Sequence, residues 1–176
     1  MAAMNENQPK EKYSASHVAR RIAELGASIR SDAGPQADIH LIGILKGAAC
    51  FLADLMRAIP GTVHYEFIDV IRDMSDTEVA EAMEIDFLTH FEMRGKRIYL
   101  LKDVITTGVI ESYLLTQFRQ KGPEDLKLVG LIDRPTQRTV EIPVDYKAFQ
   151  ADEGTFVGYG LEMNGRWANL PYIGLL

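Results

Sequence analysis

Val18, Ile22, Leu25 and Ile29 recur at three- and four-residue intervals, an apolar stripe on an otherwise polar stretch that follows Ser14. Such spacing lines one face of a helix, and a serine just ahead of it accepts an amide proton of the first turn. The pattern predicts a helix capped by Ser14 and ended by Gly34-Pro35. Ile39 to Leu45 is apolar and too short for a helix, so it reads as a strand. Helical spacing returns from Ala48 to Ile59, with Phe51, Leu52, Leu55 and Met56 inward, and stops at Pro60-Gly61. Thr62 to Ile71 reads as a second strand, and Ile85 to Thr89 as a short one. Ile98 to Leu101 are β-formers after the Arg94-Gly95 turn, and Val109, Tyr113, Leu114 and Phe118 then repeat at helical spacing. Leu126 to Asp133, Tyr146 to Phe149 and Phe156 to Gly160 read as further strands.

Strands alternating with helices at this spacing need crossover connections. They imply an α/β fold with a mainly parallel central sheet flanked by helices, and ligands at the carboxyl ends of the strands. With 176 residues, 47% hydrophobic and 25% charged, the chain suits one core. The expectation is a single domain over 13–176 and a frayed polar tail over 1–12.

Charge and composition narrow the function. A net charge of −6 with no basic stripe argues against a nucleic-acid partner. No apolar run approaches the ~20 residues that span a bilayer, and the amino terminus has no signal-peptide core, so a cytoplasmic protein with no membrane partner is expected. The single cysteine, Cys50, lies in an apolar helical run and is expected in the core. His17, His40, His64 and His90 show no metal-ligand spacing and read as structural or solvated. Asp76, Glu78, Glu81 and Glu84 read as a solvated acidic loop.

The chemistry concentrates between Arg97 and Leu115, where a short strand carries Asp103 and Thr106-Thr107-Gly108 opens a helix. A tight loop at a helix N-terminus presents amide and hydroxyl donors, and the dipole favours an anion there. A phosphate suits such a place.

This segment resembles the phosphoribosyl-pyrophosphate (PRPP) signature of the type I phosphoribosyltransferases: a strand ending in two acids, two apolar residues, then Asp-Thr-Gly. Lys102 stands at the first acid, Asp103 keeps the second, and Thr106 stands at the Asp before Thr-Gly. Ile44 to Leu55, with Leu45-Lys46-Gly47-Ala48, resembles the pyrophosphate loop and following helix of hypoxanthine-guanine phosphoribosyltransferases. Val157 to Glu162 and Asn169 to Gly174 are similar to that family's C-terminal segments, especially in its bacterial branch. The similarity runs from about residue 39 to the carboxyl terminus.

The resemblance implies the type I phosphoribosyltransferase fold with a small hood built from the N- and C-terminal segments. It implies PRPP and a purine base or purine nucleotide as partners, Mg2+ as cofactor, and a homo-oligomer, dimer or tetramer. Position by position, Lys46 and Gly47 match the pyrophosphate loop. Asp103 matches the acid that binds the ribose hydroxyls, directly or through Mg2+. Thr106, Thr107, Gly108, Val109 and Ile110 match the 5′-phosphate loop, beside Lys102. Thr106 also occupies the place of the general base, and a threonine hydroxyl takes no proton near neutral pH. Arg134, Thr155, Phe156 and Val157 match the purine subsite. Glu162 joins Asp103 as a metal-binding position, and Ala168 stands where an arginine helps hold pyrophosphate. Arg72-Asp73 replace the Ser-Tyr that opens the family's closing loop.

Two expectations follow. One is a divergent purine phosphoribosyltransferase with a reduced rate or altered base preference. The other is an inactive nucleotide-binding protein of the same fold, regulatory or paired with an active paralogue.

Overall fold

The structure, a computed structural model, describes residues 8–72, 83–87 and 91–176. His90 and the acidic residues Asp76, Glu78 and Glu81 lie outside them.

Among the described residues a six-stranded sheet forms the centre. Its strands are β2 (Ile39–Ile44), β3 (Val63–Arg72), β4 (Met83–Phe87), β5 (Arg97–Ile105), β6 (Asp125–Asp133) and β7 (Tyr146–Gln150), in the order β4-β3-β2-β5-β6-β7. All neighbours are parallel except β3 and β4. α1 (Ala15–Ala33) and α2 (Ala48–Ala58) pack on one face, and α3 (Val109–Gln120) on the other. The helical stripe read from the chain becomes the buried face of α1, and the Ser14 hydroxyl accepts the His17 amide proton at 3.2 Å. Phe51, Leu52 and Leu55 of α2 meet Leu41 of β2 and Tyr99 and Leu101 of β5. Leu114, Leu115 and Phe118 of α3 meet Ile42, Ile98, Leu100 and Leu128 on the far face. β2 is buried at every residue, as befits a strand covered on both sides.

The hood is a second, antiparallel sheet of β1 (Lys10–Tyr13), β9 (Ile173–Leu175) and β8 (Phe156–Val157). The expected tail over 1–12 is corrected here for its last three residues: Lys10 pairs with Leu175 and Glu11 with Gly174. Tyr13 stacks on Phe149 with ring centroids 4.0 Å apart, and the Tyr159 hydroxyl donates to Asp54 at 2.6 Å, so both ends of the chain are fastened to the central domain. Two further readings are corrected. Cys50 is exposed rather than in the core, on the outer side of the first turn of α2 beside Gly160. Val109 is exposed, and the buried face of α3 turns to include Glu111 instead.

A cavity of about 840 Å³ at the amino ends of β2, β3 and β5 is lined by His40, His64, Tyr65, Phe91 and Lys96 among others. The candidate chemistry lies at the opposite end.

Candidate active site

β5 outruns its neighbour at the carboxyl end: its pairing with β2 stops at Leu101, so Lys102 and Asp103 stand at the mouth of the gap between the two strands. The loop after β2 returns into that gap. Its Leu45–Lys46 peptide is cis, and Gly47 lies so close to Asp103 that a Cβ there would come within 1.8 Å of the carboxylate oxygen Oδ2. Only glycine permits this approach. Strand pairing thus brings together Lys46, Gly47 and Asp103, which lie far apart in the chain.

Lys102 folds over its neighbour. Its Nζ lies 2.8 Å from Asp103 Oδ1, with both side chains 19% exposed. Oδ1 is otherwise buried without a hydrogen bond, so this contact is an ion pair off the angle of a directed bond. Beneath them Glu111 is 3% exposed, and desolvation raises its carboxyl above the usual range. Lys102 and Arg138 oppose that shift, and Asp103 adds to it.

The loop 106–110 is held by its carbonyls. Arg138 Nη1 donates to Thr106 O at 2.8 Å, the amides of Thr139 and Val140 donate to Thr107 O, and Ser112 N donates to Gly108 O at 2.8 Å. Gly108 takes φ +85°, the left-handed turn that starts α3. A loop anchored through its carbonyls turns its amide groups the other way, next to the helix N-terminus, which is the arrangement an anion needs. Thr107 Oγ1 adds a long 3.5 Å contact to Val109 N.

Arg138 was not legible in the sequence. It reaches Asp133, which is 3% exposed and also receives Lys147 Nζ at 3.0 Å. An arginine five residues after a strand-end acid has no diagnostic spacing. Only the fold shows that the segment 138–140 braces the loop 106–110.

The positions matched to the base subsite are arranged differently from free contact groups. Arg134 donates to Gly154 O at 3.1 Å and Asp152 O at 2.5 Å, and its guanidinium lies 5.5 Å from the centre of the Phe156 ring. The Phe156 and Val157 side chains belong to the buried set, whereas Thr155 is exposed. The Phe156 ring packs in the core cluster with Phe149, Leu161 and Ile173.

Residues 11–164 match the phosphoribosyl transferase domain. The chain is 34% identical to the hypoxanthine-guanine phosphoribosyltransferase of Bacillus subtilis over 98% of its own length and 96% of that protein's. The chain belongs to the hypoxanthine-guanine phosphoribosyltransferase family. The enzyme of that name from Mycobacterium avium is 32% identical over 99% of this chain and 93% of its own. Among solved structures, a hypoxanthine-guanine phosphoribosyltransferase from Bacillus anthracis superposes with a TM-score of 0.84 at 29% identity, covering 96% of this chain and 99% of that one. A Staphylococcus aureus hypoxanthine phosphoribosyltransferase gives 0.86 at 26% identity, covering 99% and 95%. The hypoxanthine-guanine phosphoribosyltransferase family therefore describes the whole fold, hood included.

Mg2+ does not fit beside Asp103 as this carboxylate stands. Asp103 is occupied by the Lys102 ammonium on one oxygen and packed against Gly47 on the other. Magnesium demands near-octahedral oxygen ligation with several retained waters at ~2.0–2.1 Å. Glu162 is exposed on the segment after β8.

Proposed function

We propose that the chain transfers a phosphoribosyl group from PRPP to a 6-oxopurine of the hypoxanthine or guanine type, slowly for its family. The observation that supports this reading is the loop 106–110, held by its carbonyls at the carboxyl end of β5, the strand whose Asp103 meets Gly47 of the loop after β2. In this reading the amides of 106–110 hold the 5′-phosphate, Lys46 and Gly47 receive the pyrophosphate, and Asp103 faces the ribose. Family membership and the names of its relatives support the substrates. A homo-oligomer, dimer or tetramer, belongs to the same reading, and sedimentation velocity measures it.

The slow rate follows from two positions. Thr106 supplies no base for the purine proton, a loss of about 10²- to 10⁴-fold. The Asp103 carboxylate, neutralised by Lys102 at 2.8 Å, gives little help to a cationic ribosyl transition state. The second reading, a nucleotide-binding protein without turnover, draws on Arg134, whose guanidinium is engaged by Gly154 and Asp152 rather than free for a base.

Incubation with PRPP and hypoxanthine, guanine or xanthine, with nucleotide detected by chromatography, decides between them. Turnover that Asp103→Asn lowers by about 10-fold or more supports the enzyme. Calorimetric binding of GMP or IMP with no product from any of the three bases establishes the second reading.

A further inference from the structure

We propose that the Lys102 ammonium takes the place of a divalent cation beside the ribose, so that the site binds PRPP without a metal ion bridging Asp103. The inference rests on the phosphoribosyl reading of the site and goes past it, since it concerns the state in which the substrate is taken.

The geometry carries it. Lys102 Nζ lies 2.8 Å from Asp103 Oδ1, in a pair whose side chains are each only 19% exposed. That oxygen is buried and makes no hydrogen bond. The second oxygen is packed over Gly47. A hydrated ion that met Asp103 would have to displace the ammonium, and would then stand beside it in a partly desolvated gap where like charges repel strongly. Glu111, buried below the pair, is the nearby acid, and desolvation raises its carboxyl above the usual range. Arg138 lies in the same neighbourhood, its charge paired with Asp133.

The ammonium can supply what the ion would. It carries three donors on a flexible stem, and its contact with Asp103 is an ion pair rather than a directed hydrogen bond. Those donors can turn to the ribose hydroxyls and the nearest pyrophosphate oxygen. Its charge is fixed in place by the fold rather than delivered with the substrate. An acid at 102 would create the opposite situation, a pair of carboxylates that needs a divalent ion between them.

Calorimetric titration of PRPP into the full chain, once in millimolar Mg2+ and once in EDTA, tests this directly. Wild-type dissociation constants that agree within about threefold are expected. Lys102→Glu should bind PRPP at least about tenfold more tightly with Mg2+ than with EDTA, and Lys102→Met should lose about tenfold in EDTA. Near-UV circular dichroism checks that both variants keep the fold, and the wild-type comparison needs neither of them. Wild-type affinity that falls more than about tenfold in EDTA overturns the inference and leaves the PRPP reading intact. A Lys102→Glu variant that stays folded and gains nothing from Mg2+ overturns it as well. Absence of PRPP binding in both buffers overturns the inference and the proposed function together.

Discussion

At the residue scale, the site is a redistribution of charge around Asp103. Lys102 neutralises it from one side, and Glu111 lies buried below. If positions 102 and 106 limit the rate, Thr106→Asp combined with Lys102→Glu should raise kcat, by about 10²-fold if general-base catalysis is recovered. Steady-state assays of the double variant, with its folding verified, check this, and no gain would mean that the rate is lost elsewhere. Glu111 gives a pH-dependent prediction of its own. Desolvation raises its carboxyl in the fold above the ordinary value of 4.5, so the native state holds that proton more firmly than the unfolded chain does. Stability contributed at this position therefore falls as pH rises through the folded value and recovers below the ordinary one. Glu111→Gln should raise the melting temperature at neutral pH, with the gain fading below about pH 4.5, as thermal melts across pH would record. Lys102, Asp103 and Thr106 were legible from the chain because they sit in one motif. Arg138, Asp133 and Glu111 were not, because their partners come from other elements.

At the element scale, the functional geometry is the meeting of two turns. The loop after β2 touches β5 at one point, where Gly47 faces Asp103. The backbone at Gly47 has φ −62°, which any residue accepts, so a methyl group there fails for want of space and not from strain. Gly47→Ala should keep α2 and the overall fold while displacing Asp103, weakening PRPP binding by about tenfold or more. Circular dichroism and calorimetry separate the two effects, and unchanged affinity would show that the contact is not needed. The helices and central strands were readable because each buries a periodic face: α1 begins one residue after Ser14, and β2 ends one residue before the expected Leu45. β1 and β9 were not, since strands of four and three residues carry too little pattern and form by pairing across the chain, β9 with both β1 and β8. β8, expected as five residues, keeps only two, because Gly158 turns out of the strand at φ +90°.

At the scale of the whole molecule, the central sheet separates two ends with different electrostatics. The carboxyl end carries the bracing network of Asp133, Arg138 and Lys147 with the Lys102–Asp103 pair. The amino end carries His40, 7% exposed and stacked on His64 at 4.5 Å, with Nδ1 unpartnered. Burial, then the neighbouring His64 and Lys96, push the His40 imidazole down to about 4, against a weaker opposing pull from Asp38. The fold thus prefers the neutral ring, while the unfolded chain takes up a proton near 6.5. Stability should be full above about pH 6.5 and decline as pH falls toward about 4. His40→Phe should flatten that decline in thermal melts, and an identical slope in variant and wild type would place the acid sensitivity in other groups.

The chain by itself determined the helices and central strands, the α/β class and the family, because periodic burial and short motifs are local properties that survive without a partner. It also determined which reacting groups are present: an acid at 103, a lysine at 102 and a threonine at 106. Only the tertiary structure decided what those groups face. That Gly47 presses the Asp103 carboxylate, that Arg138 braces the loop 106–110 and that Phe156 turns inward all depend on segments brought side by side from distant parts of the sequence, and the Lys102–Asp103 pair is buried by that packing. Pair distances and desolvation arise from that packing, and they set the charge of the site.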